Sequence, residues 1–560
     1  MKEHGFYAAG LKDVVLSDDI EICGDEEGAK NEEFIVANSP KLKAQIYAPE
    51  INFYIENSAD EPLQIAKNVD ILYRAKDIAF DGALDSDYQK PVGKNVILAC
   101  DEPREELVGL LRQHGFKVIT LSRAEIKFVY GEIGDLAVTI LSERDEVETE
   151  ADFFLISGAA PYQLRQSGCY EISGLKDDEI LEILNSKSPV YHYKNSTIFD
   201  PAICQYQGRR NELRAPCAEI CPTVAILKND EKRELVFSHI DCIGCGACVS
   251  VCPSGALKFA KLPQRVFGEI AKLYAGKIPL LIAESEIASA PAVQLPCGAL
   301  PFGIFGSKQI DEANLLSAMQ ESGSSVIVYG ADVGESTREA VELINGISRA
   351  IYGKDAVFLA RNLIELQEAL KQAQSSQPWA FSLNEQGLSK KEIFSKRVSA
   401  MVGEGSFGTV KSGELLKFGK VNINEASCTL CLSCVGACNT GALYADNSDN
   451  SIKFNASLCT TCNYCVLSCA EKDTIELKPC GVELEPGFFN YKMLAKDELF
   501  KCIECGKEFA TSKAVMKIAD MMGAHFANEP EKMKTLFCCG DCKAKIMIKK
   551  QIEDARKGAM

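Results

Sequence analysis

Hydrophobic positions along this chain fall into short runs broken by turn signals, and from Asn95 onward the runs alternate between strand-like and helix-like spacing. NVILACD reads as a buried strand, PREELVGLLRQHG as an amphipathic helix ending at Gly115, and FKVITLS as the next strand. DFFLISGAAP (152–161) adds a further strand and turn. A second stretch repeats the alternation. IPLLIAE (278–284) is a strand, ANLLSAMQESG (313–323) a helix, SSVIVYGAD (324–332) a strand and STREAVELINGISRAIYG (336–353) a longer helix. Residues 1–90 are weakly patterned.

These segments bracket two cysteine-rich blocks, which suggests six regions. They are an N-terminal α/β domain (1–200), a central cysteine-rich module (201–262), a second α/β segment (263–375), a linker (376–420), a second cysteine-rich module (421–480) and a tail (481–560). The expected fold class is multidomain, α/β and α+β, with a small zinc-ribbon-like tail. A chain of 560 residues is too long for one core. The first α/β unit carries no glycine fingerprint at its first turn, so it reads as scaffold and not as a nucleotide site.

Charge and cysteine usage narrow the function. The net charge of −18 argues against nucleic acid, which needs a basic face, and suits transient docking on basic patches of redox partners. No apolar run reaches the ~18–20 residues of a membrane helix, so no direct membrane insertion is expected. The opening MKEHGFYAAGLK has no apolar signal core. Twenty-five cysteines in CxxC clusters favour metal over disulfides, and hence a reducing, cytoplasmic setting.

The chemistry lies in the spacing. Cys428-x2-Cys431-x2-Cys434-x3-Cys438 and Cys459-x2-Cys462-x2-Cys465-x3-Cys469 are two complete runs of the bacterial [4Fe–4S] pattern, in which the fourth cysteine crosses to the other cluster. The expected ligand sets are Cys428, Cys431, Cys434 and Cys469 for one cluster, and Cys459, Cys462, Cys465 and Cys438 for the other. A hairpin should lie between the runs, turning at Asn447–Asn450. The central block holds one intact run, Cys242, Cys245, Cys248 and Cys252, and half of another, Cys217-x3-Cys221. Cys221 should complete the cluster of Cys242, Cys245 and Cys248. A further site would use Cys217 and Cys252, with Cys204 as the third candidate. Its fourth ligand is open between Cys169, His192 and a carboxylate, and a three-ligand [3Fe–4S] site or an empty site are alternatives. The tail supplies Cys502, Cys505, Cys539 and Cys542 in zinc-knuckle spacing, with Cys538 spare or an alternative ligand, and an iron–sulfur cluster as the alternative to zinc.

The C-terminal module resembles bacterial two-cluster ferredoxins over about 55 residues, though Asn439 and Ala470 stand where that family usually has proline. The whole arrangement resembles large cytoplasmic ferredoxin-type proteins associated with formate dehydrogenases, which implies an electron carrier, or the electron-transfer subunit or maturation scaffold of a formate dehydrogenase or hydrogenase. AVQLPCGALPFGIFG with the following helix and strand resembles the delta subunit of methyl-viologen-reducing hydrogenase, but GADVGES lacks that family's second cysteine group. Gly403-Glu-Gly405-Ser-Phe-Gly408 matches a kinase glycine-rich loop. No downstream catalytic motifs follow, so it reads as a turn. An independent catalyst is not expected from these residues.

Overall fold

The computed structural model describes every residue except 1, 9–15, 25–32, 142–144, 210–213, 291, 527 and 559–560. Part of the stretch between Cys204 and Cys217 therefore lies outside the described residues. The chain forms two compact units, Met1–Lys390 and Lys391–Met560.

The first unit contains three four-stranded parallel sheets, each with the strand order second, first, third, fourth. One is built from Lys2–Tyr7, Ile20–Cys23, Glu33–Ala37 and Lys43–Tyr47. The next uses Asn95–Ala99, Lys117–Leu121, Phe153–Ile156 and Cys169–Glu171. The last uses Ile278–Ala283, Ala299–Ile304, Val326–Tyr329 and Val357–Ala360. The strands at 95–99, 153–156 and 278–283 are apolar on both faces because parallel sheets are covered on both sides. A switch point of this strand order is where open α/β sheets bind ligands. In the middle sheet the loop there is already satisfied: the Glu171 carboxylate accepts the Gly158 and Ala159 N–H groups at 3.0 and 2.5 Å.

The weakly patterned N-terminus is thus an ordered sheet followed by helices Pro49–Asn57 and Pro62–Gly82, the longer packing on helix Gln264–Leu273. Its pattern is blurred because polar residues are buried in it. Asn68, Lys76 and Glu50 are almost fully enclosed, and Lys76 pairs with Glu50 at 3.1 Å and with Glu284. A three-stranded antiparallel sheet (Ile126–Glu132, Asp135–Leu141, Glu146–Ala151) leans on the middle sheet.

The two cysteine-rich blocks share one architecture. In the central block, Thr197–Phe199 pairs antiparallel with Leu257–Phe259, hairpin Ile226–Asn229/Glu234–Phe237 projects between, and helices Pro216–Ile220 and Ala247–Ser250 pack together. In the second unit the counterparts are Phe418–Ile423 with Ile475–Cys480, hairpin Leu443–Asp446/Ser451–Phe454, and helices Ser433–Ala437 and Tyr464–Leu467. Stretch 376–420 contains the buried Trp379 and helix Lys390–Val402. The kinase-like loop runs into Thr409–Val410, which pairs antiparallel with Val482–Glu483.

Candidate iron–sulfur and metal centres

In the second unit each cysteine run makes two left-handed backbone turns before its helix. Leu430 and Leu432 have φ of 48° and 62°, and Thr461 and Asn463 have φ of 58° and 64°. Non-glycine residues held there carry strain of order 1–3 kcal/mol each, which persists where function demands the geometry. The turns aim main-chain N–H groups at sulfur: Leu430 N–H at Cys428 and Thr461 N–H at Cys459, then Val435 N–H at Cys434 and Val466 N–H at Cys465.

Cys428, Cys431, Cys434 and Cys469 line one cavity, walled by Ile423, Ile452 and Ile475. Cys438, Cys459, Cys462 and Cys465 line another, walled by Val421, Phe454 and Leu477. Each set takes its fourth cysteine from the other run. Burial, followed by the neighbouring sulfurs, pushes the Cys434 thiol up to about 11 and those of Cys459 and Cys465 up to about 12. Such thiols ionise at neutral pH only if a metal takes the place of the protons. Cys431 is exposed, so the first cavity reaches the surface.

The central module gathers Cys221, Cys242, Cys245 and Cys248 around a third cavity with Ile226, Phe237 and Ala247. Here glycines make the left-handed turns, Gly244 at 68° and Gly246 at 81°. A Cβ on Gly246 would lie 2.5 Å from Gln309 Cβ, because the loop after strand Ala299–Ile304 presses on this run. Lys308 donates its backbone N–H to Cys245 O at 2.8 Å. Burial drives the Cys248 thiol well above its usual range.

Cys204, Cys217 and Cys252 are also buried. Burial, then the nearby Cys252 and Cys204 sulfurs, pushes the Cys217 thiol up to about 12. Of the other candidates for that site, Cys169 packs in the core of the middle sheet and His192 is exposed on a strand opposite Gln89. The Lys390 ammonium, enclosed with Asp311 at 3.2 Å and Glu312 at 3.0 Å, donates to Ser250 O at 2.8 Å and so holds the end of helix Ala247–Ser250, two residues before Cys252. Sequence reasoning missed this triad, because nothing local links positions 250, 311 and 390.

In the tail, the ligand atoms of Cys502, Cys505, Cys539 and Cys542 lie within 4.8 Å of one another, and among the described residues this is the one set of three or more Cys, His, Asp or Glu so close. Cys505 and Cys539 sulfurs are 3.7 Å apart. The first pair sits on hairpin Leu499–Lys501/Glu508–Thr511 and the second at the start of helix Gly540–Gly558. Cys538 is buried beside them and faces Lys534 O. Cys297 lies exposed in the turn before strand Ala299–Ile304.

Comparison with known proteins agrees with the two modules. Residues 211–261 match the LdpA Fe-S cluster-binding domain, and residues 420–470 match a 4Fe-4S dicluster domain. Hydrogenase-4 component A of Escherichia coli (strain K12) is 41% identical over 64 residues, 11% of this chain and 28% of that protein. The arsenate respiratory reductase iron-sulfur subunit ArrB of Shewanella sp. (strain ANA-3) is 36% identical over 86 residues, 15% of this chain and 36% of that protein. A tetrathionate reductase subunit of Archaeoglobus fulgidus is 36% identical over 66 residues, 12% of this chain and 29% of that protein. The chain thus spans about a third of the length of these relatives. No helix among the described residues is long and apolar enough to cross a membrane. Two stretches of this multidomain chain, 211–261 and 420–470, are thus similar to iron–sulfur cluster-binding domains.

Proposed function

We propose that this protein relays electrons between cytoplasmic redox enzymes through three [4Fe–4S] clusters. The ligands are Cys428, Cys431, Cys434 and Cys469 for the first, Cys438, Cys459, Cys462 and Cys465 for the second, and Cys221, Cys242, Cys245 and Cys248 for the third. The observation that carries the reading is that each set of four lines its own cavity, with the fourth cysteine crossing over from the other run. When bound, the clusters supply one-electron redox chemistry. The chain's own residues supply thiolates, aim backbone N–H groups at sulfur and wall the cavities with apolar side chains, three levers that set potential within roughly −700 to +450 mV.

The partner is a larger oxidoreductase for which this chain acts as an electron-transfer subunit, with formate dehydrogenase the first to test. The relatives support this: two are a component or subunit of a hydrogenase and a tetrathionate reductase, and one is the iron-sulfur subunit of an arsenate respiratory reductase. The acidic surface suits a basic docking patch.

The tail holds one zinc ion. A tetrahedron of Zn–S bonds of about 2.3 Å has an edge of about 3.8 Å, which the 3.7 Å between Cys505 and Cys539 matches. The thiolates of an iron–sulfur cube stand farther apart. Anaerobic affinity capture on the full chain, with iron and zinc quantified, tests the whole reading. At least about twelve irons and about one zinc per chain, with an oxidoreductase subunit captured, is the expected result. A chain without iron would overturn it.

A further inference from the structure

The central block keeps more of its incomplete run than the spacing reveals. In the intact runs the first cysteine accepts the N–H of the residue two positions on: Leu430 to Cys428, Thr461 to Cys459 and Gly244 to Cys242. The residue four positions on has a left-handed backbone: Leu432, Asn463 and Gly246. Cys204 repeats both features. Its sulfur accepts the Tyr206 N–H at 3.4 Å, and Gly208 has φ of 66°.

The third cysteine of an intact run sits at the second position of a short helix and accepts the N–H of the next residue, as Cys434 and Cys465 do. Cys217 does the same in helix Pro216–Ile220, accepting the Ala218 N–H. Cys252 follows Cys248 as Cys469 follows Cys465, and so stands at the crossover position. The second-cysteine position therefore falls on Gln207. Its N–H also donates to Cys204 Sγ at 3.4 Å, while its side-chain carbonyl is engaged by the Leu235 N–H at 2.8 Å.

The loop is firmly held. Tyr206 hydroxyl donates to Asp230 at 2.7 Å, Arg233 stacks on the Tyr206 ring at 3.9 Å, and Gly208 N–H bonds Arg233 O at 2.9 Å.

We propose that Cys204, Cys217 and Cys252 form a fourth iron–sulfur site with three protein thiolates, in which the corner facing Gln207 has no cysteine ligand. Such a site holds a [3Fe–4S] cluster, or a [4Fe–4S] cluster with one labile iron. This rests on the ferredoxin reading of the central module, and the test separates the two.

Full-length protein is reconstituted anaerobically, treated briefly with ferricyanide, and assayed for iron and by EPR. Ferricyanide takes one electron from a [4Fe–4S]2+ core, which releases its unligated iron as Fe2+ and leaves [3Fe–4S]+. The expected result is about fifteen irons per chain and a three-iron EPR signal. Cys252→Ala should lose that signal and about three irons while the other clusters remain. Gln207→Cys should suppress the signal and retain about one further iron, a gain that a folding defect would not mimic. About twelve irons with no three-iron signal, unchanged in Cys252→Ala, would overturn the fourth site yet leave the three-cluster reading intact. About sixteen irons resistant to ferricyanide in the wild type would overturn the missing ligand. A chain without iron would defeat the proposed function itself.

Discussion

Replacing Cys539 with serine breaks the four-thiolate set of the tail, and the structure indicates how much then fails. The buried apolar side chains of helix Ser512–Phe526 are Val515 and Ala519. Their burial contributes about 1.5 and about 0.8 kcal/mol. The remaining cluster around the metal set is Cys538 with the partly buried Phe509 and Ile546. A structural zinc of this type contributes ~10–16 kcal/mol, several times those two terms together. Cys539→Ser should therefore unfold the tail locally and leave the ferredoxin module standing. The consequence reaches the first cluster, because Thr511 hydroxyl donates to Thr429 O at 2.8 Å, Lys513 to Glu425 O at 2.7 Å, and Lys517 pairs with Glu471. Hydrogen exchange by mass spectrometry is the assay. Residues 499–558 should lose protection together with the loop around Thr429, while strands Phe418–Ile423 and Ile475–Cys480 keep theirs. Metal analysis should show zinc lost and iron retained. Unchanged protection across the tail, or iron lost in place of zinc, would refute the reasoning.

Cys438→Ala should remove about four irons and abolish the cluster of Cys459, Cys462 and Cys465 while sparing that of Cys428, as iron assay with EPR would check; loss of the Cys428 cluster instead would mean the fourth cysteines do not cross over. Lys76→Ala leaves the enclosed Glu50 carboxylate without its cation and should cost ~3–5 kcal/mol, read from the unfolding transition of Trp379, the single tryptophan. Burial raises the Glu50 carboxyl from 4.5 to about 7. The folded state thus holds its proton more tightly than the unfolded one, and the stability this brings is complete below pH 4.5 and lost as pH rises through 7. Glu50→Gln should flatten that decline in a pH series of the same transition.

The ligand sets were legible because cluster chemistry leaves its mark at fixed local spacing: x2, x2, x3 puts successive thiols on one tight loop. The strands at 95–99 and 278–283 were legible because both faces are apolar. Three things were not. The N-terminal sheet hides because its strands are four to six residues long and its companion helix buries Asn68 and Lys76 among polar partners. The left-handed turns at Leu430 and Thr461 hide because neither residue favours that conformation. The place of Cys204 in its run hides because the insertion before Cys217 breaks the spacing while the Tyr206 and Gly208 backbone preserves the geometry.

If the gathered cysteines hold clusters that pass electrons, those clusters must cycle between two oxidation states inside the folded chain. A potentiometric titration of anaerobic full-length protein, followed by EPR at low temperature, tests it most directly. At least three [4Fe–4S] signals should appear on reduction, show mutual magnetic broadening within the C-terminal pair, and disappear on reoxidation with no loss of iron. Clusters that are present but cannot be cycled, or that shed their iron on the first reduction, would contradict it.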